Sequence, residues 1–177
     1  MSGVAVRTLL PLVGLTLALA VSGQAAMVRS PLVMQADSRV AGFRTHESLG
    51  RAIDVFGRPA SLHALPGYQR ACDVSWPRIG LAMRFFAGGC TERSMFVRAT
   101  ATGDRWQTIR RLRIGDPVAR LRSLYPGVQP TREKDGDLRW QLFRRERSTA
   151  GLTAISSHDR ISELIVSAAI FTVRFGG

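Results

Sequence analysis

Residues 114–127 (IGDPVARLRSLYPG) repeat a pattern already present in residues 45–59 (THESLGRAIDVFGRP). Aligning Phe56 with Tyr125 places apolar residues at the same positions of both stretches. In each stretch the apolar residues lie three, four or seven positions apart, which predicts a helix with one buried face. A Gly or Pro signal directly after the aromatic residue ends each predicted helix.

Segments of alternating hydrophobicity follow each predicted helix and indicate antiparallel strands. In both halves the first well-defined strand ends in tryptophan, as Val74-Ser75-Trp76 and as Leu138-Arg139-Trp140. The predicted strands are residues 72–76, 81–86, 94–100, 138–143, 152–156 and 161–171, and residues 60–71 and 128–137 are predicted loops. The sequence therefore predicts an α+β fold made of two similar helix-plus-antiparallel-sheet units in tandem, residues 42–106 and 107–177.

The first 25 residues have the pattern of an export signal. Arg7 is followed by an apolar run from Leu9 to Val21, and Gly23 and Ala25 satisfy a small-x-small cleavage rule. That run is shorter than the roughly 18–20 residues that span a bilayer. We expect a cleaved signal peptide rather than an uncleaved anchor, with residues 26–41 as a connecting segment. The mature chain would be secreted or held in the cell envelope, soluble and without a stable membrane span.

Two cysteines, Cys72 and Cys90, both fall in the first unit. A single pair in an exported chain predicts a structural disulfide, which by loop entropy contributes roughly 3 kcal/mol. The spacing is much wider than that of a redox couple such as C-x-x-C. A zinc site would need further ligands, and the three histidines are scattered, so no metal site is predicted.

The chain is strongly basic, with a formal net charge of +12. Of its 25 Lys and Arg residues, only Lys134 is lysine. Two interpretations of this bias stay open: the base composition of the genome, or an arginine surface for anionic partners. Outside the cytoplasm those partners would be wall polymers, lipid headgroups or an acidic protein, and nucleic acid is not expected.

Several residues of the second half carry a resemblance to known proteins: Trp106, Thr108, Leu112, Ile114-Gly115-Asp116, Tyr125-Pro126, Trp140, Leu142, Ala154-Ile155 and Arg160-Ile161. The chain resembles a set of exported actinobacterial proteins whose function is not established. Over residues 42–172 their pattern is similar to the tandem fold of the beta-lactamase inhibitor protein family, and to small outer-membrane assembly lipoproteins that carry one such unit.

The departures from that pattern bear on what the resemblance implies. The inhibitor family has a disulfide in each half, whereas only the first half of this chain has cysteines. His46 stands where a glycine equivalent to Gly115 is expected, and the lipid-attachment cysteine of the assembly lipoproteins is missing. The resemblance implies a two-unit binding scaffold, with beta-lactamase inhibition as one possibility among its functions.

No catalytic residue, cofactor or metal ligand is predicted from the sequence. It contains no G-x-S-x-G, phosphate loop or metal-ligand spacing. Ser157-His158-Asp159 is contiguous and is typical of a tight turn, in which neighbouring residues do not face one another as a triad. His63 lies in a predicted loop with no partner identified. A small envelope hydrolase, with carboxylates that converge only in the fold, stays as the alternative function.

A binding surface is predicted instead on the exposed face of the sheet. Period-2 alternation places Arg84 with Phe86 on one side of a strand, and Arg139 with Phe143 on one side of another. Arginine and aromatic side chains together are typical of interface hot spots. We therefore predict a non-enzymatic binding protein whose sheet face contacts a protein or an anionic envelope component. The competing interpretation is that a helix or the N-terminal segment covers Phe86 and Phe143.

Overall fold

A computed structural model describes residues 31–36, 39–66, 70–145 and 150–168 of the chain. The predicted signal peptide, the end of the last predicted strand (169–171) and residues 146–148 of the charged run lie outside these described residues. Within them, no helix is long and apolar enough to cross a membrane.

The first unit consists of one helix followed by a four-stranded antiparallel meander. Helix α1 is Leu49–Phe56, and the strands are β4 Ser61–Leu65, β5 Ala71–Trp76, β6 Leu81–Phe86 and β7 Met95–Ala101. A single 3-10 turn, Pro77–Ile79, connects β5 to β6. Helix α1 ends at Gly57, whose φ of 78° favours glycine and whose N–H donates to the Ile53 carbonyl at 2.8 Å. Strand β4 lies in the predicted loop 60–71, which is a correction to that expectation.

The second unit repeats this order. Helix α2 is Val118–Leu124, and the strands are β9 Pro130–Arg132, β10 Leu138–Arg144, β11 Gly151–Ser157 and β12 Arg160–Ser167. Pro117 immediately precedes α2, and an Asp116 carboxylate oxygen accepts a hydrogen bond from the Arg113 N–H at 2.8 Å. Asp116 therefore fixes the turn that enters the helix.

Both meanders belong to one eight-stranded sheet. Its order is β4-β5-β6-β7-β12-β11-β10-β9, so the last strand of each unit pairs with the last strand of the other. The β7–β12 pairing is antiparallel and places Thr100 opposite Ile165 and Arg98 opposite Ser167. The predicted α+β class is confirmed, and the strand order is consistent with two units in tandem.

A smaller sheet, in the order β3-β2-β1-β8, was not predicted. It contains β1 Leu32–Gln35, β2 Arg39–Val40, β3 Phe43–Arg44 and β8 Trp106–Thr108, and β1 runs parallel to β8. Part of the expected connecting segment 26–41 is therefore structured. Its apolar side chains explain this, because Met34 and Val40 are fully buried in the common core.

Three tryptophans, Trp76, Trp106 and Trp140, lie in the core. Each buried indole N–H has an acceptor: the Gly57 carbonyl at 2.8 Å, the Ile79 carbonyl at 2.6 Å and the Ser156 hydroxyl at 2.9 Å, respectively. Satisfied indole donors let these large rings be buried without the cost of an unpaired polar group. Trp76 and Trp140 occupy equivalent strands of the two units.

The predicted disulfide between Cys72 and Cys90 is confirmed. It joins β5 to the loop between β6 and β7, with Cα atoms 5.1 Å apart. Cys72 is fully buried in the core, and Cys90 is partly buried against it. The bond therefore fastens a long loop to the hydrophobic layer of the first unit.

A β-bulge interrupts the pairing of β10 with β11. Gln141 pairs with Thr153, but the next pair is Phe143 with Leu152, so Leu142 is an extra residue. The Gln141 side-chain amide donates to the Phe143 carbonyl at 2.7 Å and to the Leu152 carbonyl at 3.3 Å. Gly151 makes room for this arrangement, since a Cβ there would lie 2.6 Å from the Phe143 carbonyl oxygen.

We predict that Gly151→Ala destabilises the protein by roughly 1–3 kcal/mol, because the methyl group overlaps backbone that cannot move freely. Gly42→Ala is the matched control, since a Cβ there meets only the end of Val55 at 3.4 Å. Urea unfolding measures both variants. Equal stability of Gly151→Ala and the parent would show that the bulge does not need this glycine.

Candidate functional site

The two faces of the eight-stranded sheet have different environments. Helices α1 and α2 and the small sheet contribute to the single core on one face. We call the opposite face the outer face. Register and alternation assign to it the following side chains: Ser61, His63, Asp73, Ser75, Ala82, Arg84, Phe86, Arg98, Thr100, Arg139, Gln141, Arg144, Thr153, Ile155, Glu163 and Ile165.

The first-unit half of the outer face is accessible and polar, whereas the middle of the second half is not. Ala82, Arg84 and Arg98 are exposed. In contrast, Ile155, Ile165 and Thr153 are buried. The accessible surface of the outer face is therefore concentrated on β4 to β7.

A depression of about 350 Å³ lies in this accessible half. Its outer-face lining is Ser61, His63, Asp73, Ser75, Ala82, Arg84, Arg98 and Thr100. Three hydroxyls, an imidazole, a carboxylate and two guanidiniums thus surround a space of small-molecule or side-chain size. Such a mixture of donors suits a polar ligand or the polar side chain of a partner protein.

Asp73 and Arg84 form the one bidentate ion pair in this depression. Arg84 Nε and Nη2 donate to the two Asp73 carboxylate oxygens at 2.7 and 2.8 Å. These hydrogen bonds hold the pKa of the Asp73 carboxyl below its ordinary value, although partial burial opposes the shift. Because both carboxylate oxygens of Asp73 already accept hydrogen bonds from Arg84, the charge of Asp73 neutralises the charge of that arginine.

Arg98 lies directly across from Arg84 on the neighbouring strand. Like charges in directly opposed positions repel one another, and Asp73 is ion-paired with Arg84 but reaches Arg98 only through a weaker, longer-range attraction. Partial burial, with a smaller contribution from Arg139, lowers the pKa of Arg98 below its ordinary value, while Glu163 acts in the other direction. Among the described residues, none places a carboxylate within ion-pair distance of Arg98.

The four predicted binding residues lie on β6 and β10, two strands that are well separated in the sheet. Arg84 lies in the depression, and Phe86 follows it on the same face of β6, where it is half-buried. Arg139 is four strands away, about 19 Å at ordinary strand spacing. Phe143 is 43 % exposed, but the bulge places it opposite Leu152, whose side chain lies in the core. Burial still alternates from Trp140 to Phe143 while the pairing register has one extra residue, so the common face of Arg139 and Phe143 stays a prediction.

The charges of the outer face nearly cancel. Arg139 pairs with Glu133, as Arg84 pairs with Asp73. Counting Glu163, three carboxylates accompany the four arginines Arg84, Arg98, Arg139 and Arg144. A long polyanion would meet almost as much repulsion as attraction here. The face suits a partner that presents a single negative group better than one with a continuous negative charge.

The described residues include the serine and histidine side chains that a hydrolase would use. His63, predicted to lie in a loop, is on β4 directly opposite Asp73, and the Ser61 and Ser75 hydroxyls contact each other at 2.7 Å. The described contacts of His63 include no hydrogen bond to either serine. In the predicted turn, the Ser157 hydroxyl and His158 Nδ1 are 3.1 Å apart and exposed.

The two carboxylates of the outer face, Asp73 and Glu163, do not converge, whereas Asp54 and Glu92 line one depression on another part of the described surface. Asp73 and Glu163 are three strands apart, about 14 Å at ordinary spacing and further when their offset along the strands is counted. Paired glycosidase carboxylates lie roughly 5–10 Å apart. In the same described ranges, no group of three His, Cys, Asp or Glu side chains is placed to hold a metal ion.

Sequence reasoning missed Ser61, His63, Asp73, Ser75 and Arg98. The predicted β5–β6 hairpin already contained one usable signal, because pairing Trp76 with Leu81 places Asp73 opposite Arg84. The position of Arg98 depends on a bulge between β6 and β7. No pattern in the sequence indicates that bulge.

Comparisons with known proteins give no family for this chain. No protein-family model and no curated protein matches the sequence. One similar solved structure is the uncharacterized protein YfeY of Escherichia coli, with 12 % identity, a TM-score of 0.46, and coverage of 77 % of this chain and 99 % of that one.

A second similar structure is a cysteine-rich secretory protein of Staphylococcus aureus. It has 13 % identity and a TM-score of 0.44, with coverage of 78 % of this chain and 50 % of that one. Sequence comparison thus provides no support for the resemblance to the beta-lactamase inhibitor family, and likenesses this distant say nothing about activity.

We predict that Asp73→Asn lowers stability at neutral pH but not in acid. The pKa of Asp73 in the folded protein is lower than its ordinary value of about 4. The ion pair with Arg84 therefore stabilises the fold at a pH above that ordinary value, and this stabilisation is lost as the pH falls through the lower pKa of the folded state. Because the carboxylate is 39 % exposed, we expect a loss below about 1 kcal/mol at pH 7. Urea unfolding across the acid range measures it.

The control is Asp54→Asn, which breaks the looser pair with Arg51 at 3.5 Å. It should change stability less than Asp73→Asn does. A penalty of Asp73→Asn that stays constant or grows on acidification would contradict the assignment of Asp73 as the charged partner of Arg84.

Proposed function

We propose that this chain is an exported, non-enzymatic binding protein that uses the depression on the outer face to hold a carboxylate side chain of a partner protein. The observation that carries this proposal is the position of Arg98. Its exposed guanidinium borders the depression, opposite an arginine that is ion-paired with its own carboxylate, and no described carboxylate lies within ion-pair distance of Arg98 itself.

A partner carboxylate would find complementary donors at this position. Arg98 offers a guanidinium whose geometry matches a carboxylate bidentately. The Ser75 and Thr100 hydroxyls line the same space and can donate further hydrogen bonds. Binding would also relieve the repulsion between Arg98 and Arg84. These hydrogen bonds and this loss of repulsion form only when a negatively charged group binds.

The near balance of charge on the outer face favours a protein partner over an anionic polymer. Asp73, Glu133 and Glu163 would each repel a polymer of closely spaced phosphates or carboxylates. A protein can present one acidic residue to Arg98 and place neutral residues against the rest. Of the two partner classes that the sequence suggests for this face, we therefore assign the acidic protein to it.

Random peptides displayed on phage test this proposal, because they sample many side chains at once. Panning against the immobilised protein should select peptides that share an Asp or Glu. Because a hydrogen bond to a charged group contributes roughly 1.5–3 kcal/mol, Arg98→Gln should weaken their binding at least about tenfold. Its stability should change by less than about 0.5 kcal/mol, since the substitution removes a repulsion rather than a contact.

Arg78→Gln is the matched control, because it removes one exposed arginine outside the depression. Peptide affinity should then stay within about twofold of the parent. Selected peptides without an acidic residue, equal binding by Arg98→Gln, or no selection at all would contradict the proposal.

The alternative function, a small hydrolase, has two observations in its favour: Ser61, Ser75, His63 and Asp73 line the same depression, and the carboxylates Asp54 and Glu92 line a second one. Against it, Asp73 is committed to Arg84, and no described hydrogen bond links His63 to either serine. A serine-reactive fluorophosphonate separates the two functions. On our proposal it labels Ser61 and Ser75 no faster than the exposed Ser123. Stoichiometric labelling that His63→Gln abolishes would instead establish the hydrolase.

A further inference from the structure

A second surface of the molecule has a charge excess that the outer face lacks. It lies at the tight turn between β8 and α2, which we call the basic turn and define as residues 108–112 (TIRRL). The ends of the turn are anchored, since Thr108 and Leu112 are both fully buried. Its three central residues, Ile109, Arg110 and Arg111, are exposed.

Hydrogen bonds make the basic turn rigid. The Arg111 N–H donates to the Thr108 carbonyl at 2.8 Å, and the Thr108 N–H donates to the Leu112 carbonyl at 2.8 Å. The Thr108 hydroxyl oxygen accepts from the Leu112 N–H at 3.2 Å and lies 2.8 Å from the buried Tyr125 hydroxyl. The tip is thus held in one conformation before any partner arrives, which reduces the entropy lost on binding.

Ile109 is 59 % exposed, more than any other large apolar side chain in the described ranges. A single exposed apolar residue is ordinary by itself. Here it stands at the tip of a rigid turn, with arginines on the following two residues. The side chain of Ile109 can therefore be buried when the turn contacts an apolar surface.

Arginines surround this tip and are held there by local contacts. Arg110 Nη1 donates to the Leu124 carbonyl at 2.8 Å, and its guanidinium lies 5.0 Å from the Tyr125 ring centre. Arg120 Nη2 donates to the Arg111 carbonyl at 3.3 Å. Since a guanidinium has five donors, each keeps several for an external acceptor.

The charge around the tip is unbalanced. Arg113 is exposed as well, and its Nε donates to Gln107 at 3.2 Å. Four arginines (110, 111, 113 and 120) therefore lie on or next to the basic turn, and Asp116 is paired with one of them, Arg120, at 3.1 Å. This gives a local net charge of +3, compared with +2 for the outer-face residues, or +1 when Glu133, the ion-pair partner of Arg139, is counted with them.

We propose that the basic turn docks on an anionic phospholipid surface, with the arginines on headgroup phosphates and Ile109 in the acyl boundary. Guanidiniums bind phosphate oxygens bidentately. An apolar tip within a ring of cations matches the bilayer interface, where charge lies above hydrocarbon. A water-soluble polyanion would engage the arginines and leave Ile109 in water, so the isoleucine distinguishes the two.

The test is sedimentation with vesicles of equimolar phosphatidylglycerol and phosphatidylcholine, compared with phosphatidylcholine alone. Residues 26–177 are used, because the apolar leader would itself bind lipid and, among the described residues, every fully buried core residue lies at or after Met34. The protein should bind the anionic vesicles only, and high salt should release it. Ile109→Ser should weaken binding about tenfold through lost apolar burial.

Removing one tip arginine should weaken vesicle binding about fivefold, the effect of one basic residue at an anionic membrane surface. Arg111→Asn is suited to this, since Arg111 has a φ of 62° and asparagine tolerates that conformation. The matched controls are Leu62→Ser, which removes an apolar side chain 48 % exposed elsewhere, and Arg58→Asn. Both should bind vesicles within about twofold of the parent.

Retention on immobilised heparin separates a membrane from a soluble polyanion. Ile109→Ser should elute at the same salt concentration as the parent, since only charges act there. The proposal is overturned if the parent fails to bind anionic vesicles at low salt, if high salt does not release it, or if Ile109→Ser binds vesicles as the parent does. The last result would show a contact through charge alone.

Discussion

Antiparallel pairing of β7 with β12 is the constraint on which the rest of the structure depends. It joins two four-stranded meanders into one sheet and brings the last strand of each unit to the centre. Without it, each unit would present a short sheet with an unpaired edge, which is prone to non-native pairing. The pairing also gives both units a single core, to which Trp76 and Trp140 contribute from equivalent strands.

The same pairing explains how charge is distributed. It places Arg98 at the centre of the outer face, where the charges of both units influence it: Arg84 and Asp73 from one side, Arg139 and Glu163 from the other. On this face arginines and carboxylates nearly cancel, and two arginines, Arg98 and Arg144, have no ion-paired carboxylate among the described residues. The excess charge lies instead beside α2, around an apolar tip. Two surfaces with different chemistry therefore belong to one small fold.

Much of the fold could be predicted because its central strands alternate regularly. The β5–β6 hairpin, both helices and the disulfide follow from local patterns, and the hairpin register even places Asp73 opposite Arg84. Strand β4 was missed because an edge strand with both faces accessible shows no alternation. The bulge at Leu142 was missed because it depends on the side chain of Gln141 and the small size of Gly151. The site was hardest, since its residues come from four strands whose register only the fold determines.

The central claim is that both units form one continuous sheet, and native-state hydrogen exchange tests it most directly. Amides of β7 and β12 should exchange only through global unfolding, with the same free energy as amides within β5, β6, β10 and β11. That result would show that the outer face exists as one surface whenever the protein is folded. Exchange of the β7 and β12 amides at a clearly lower free energy, with each unit still protected, would contradict the account.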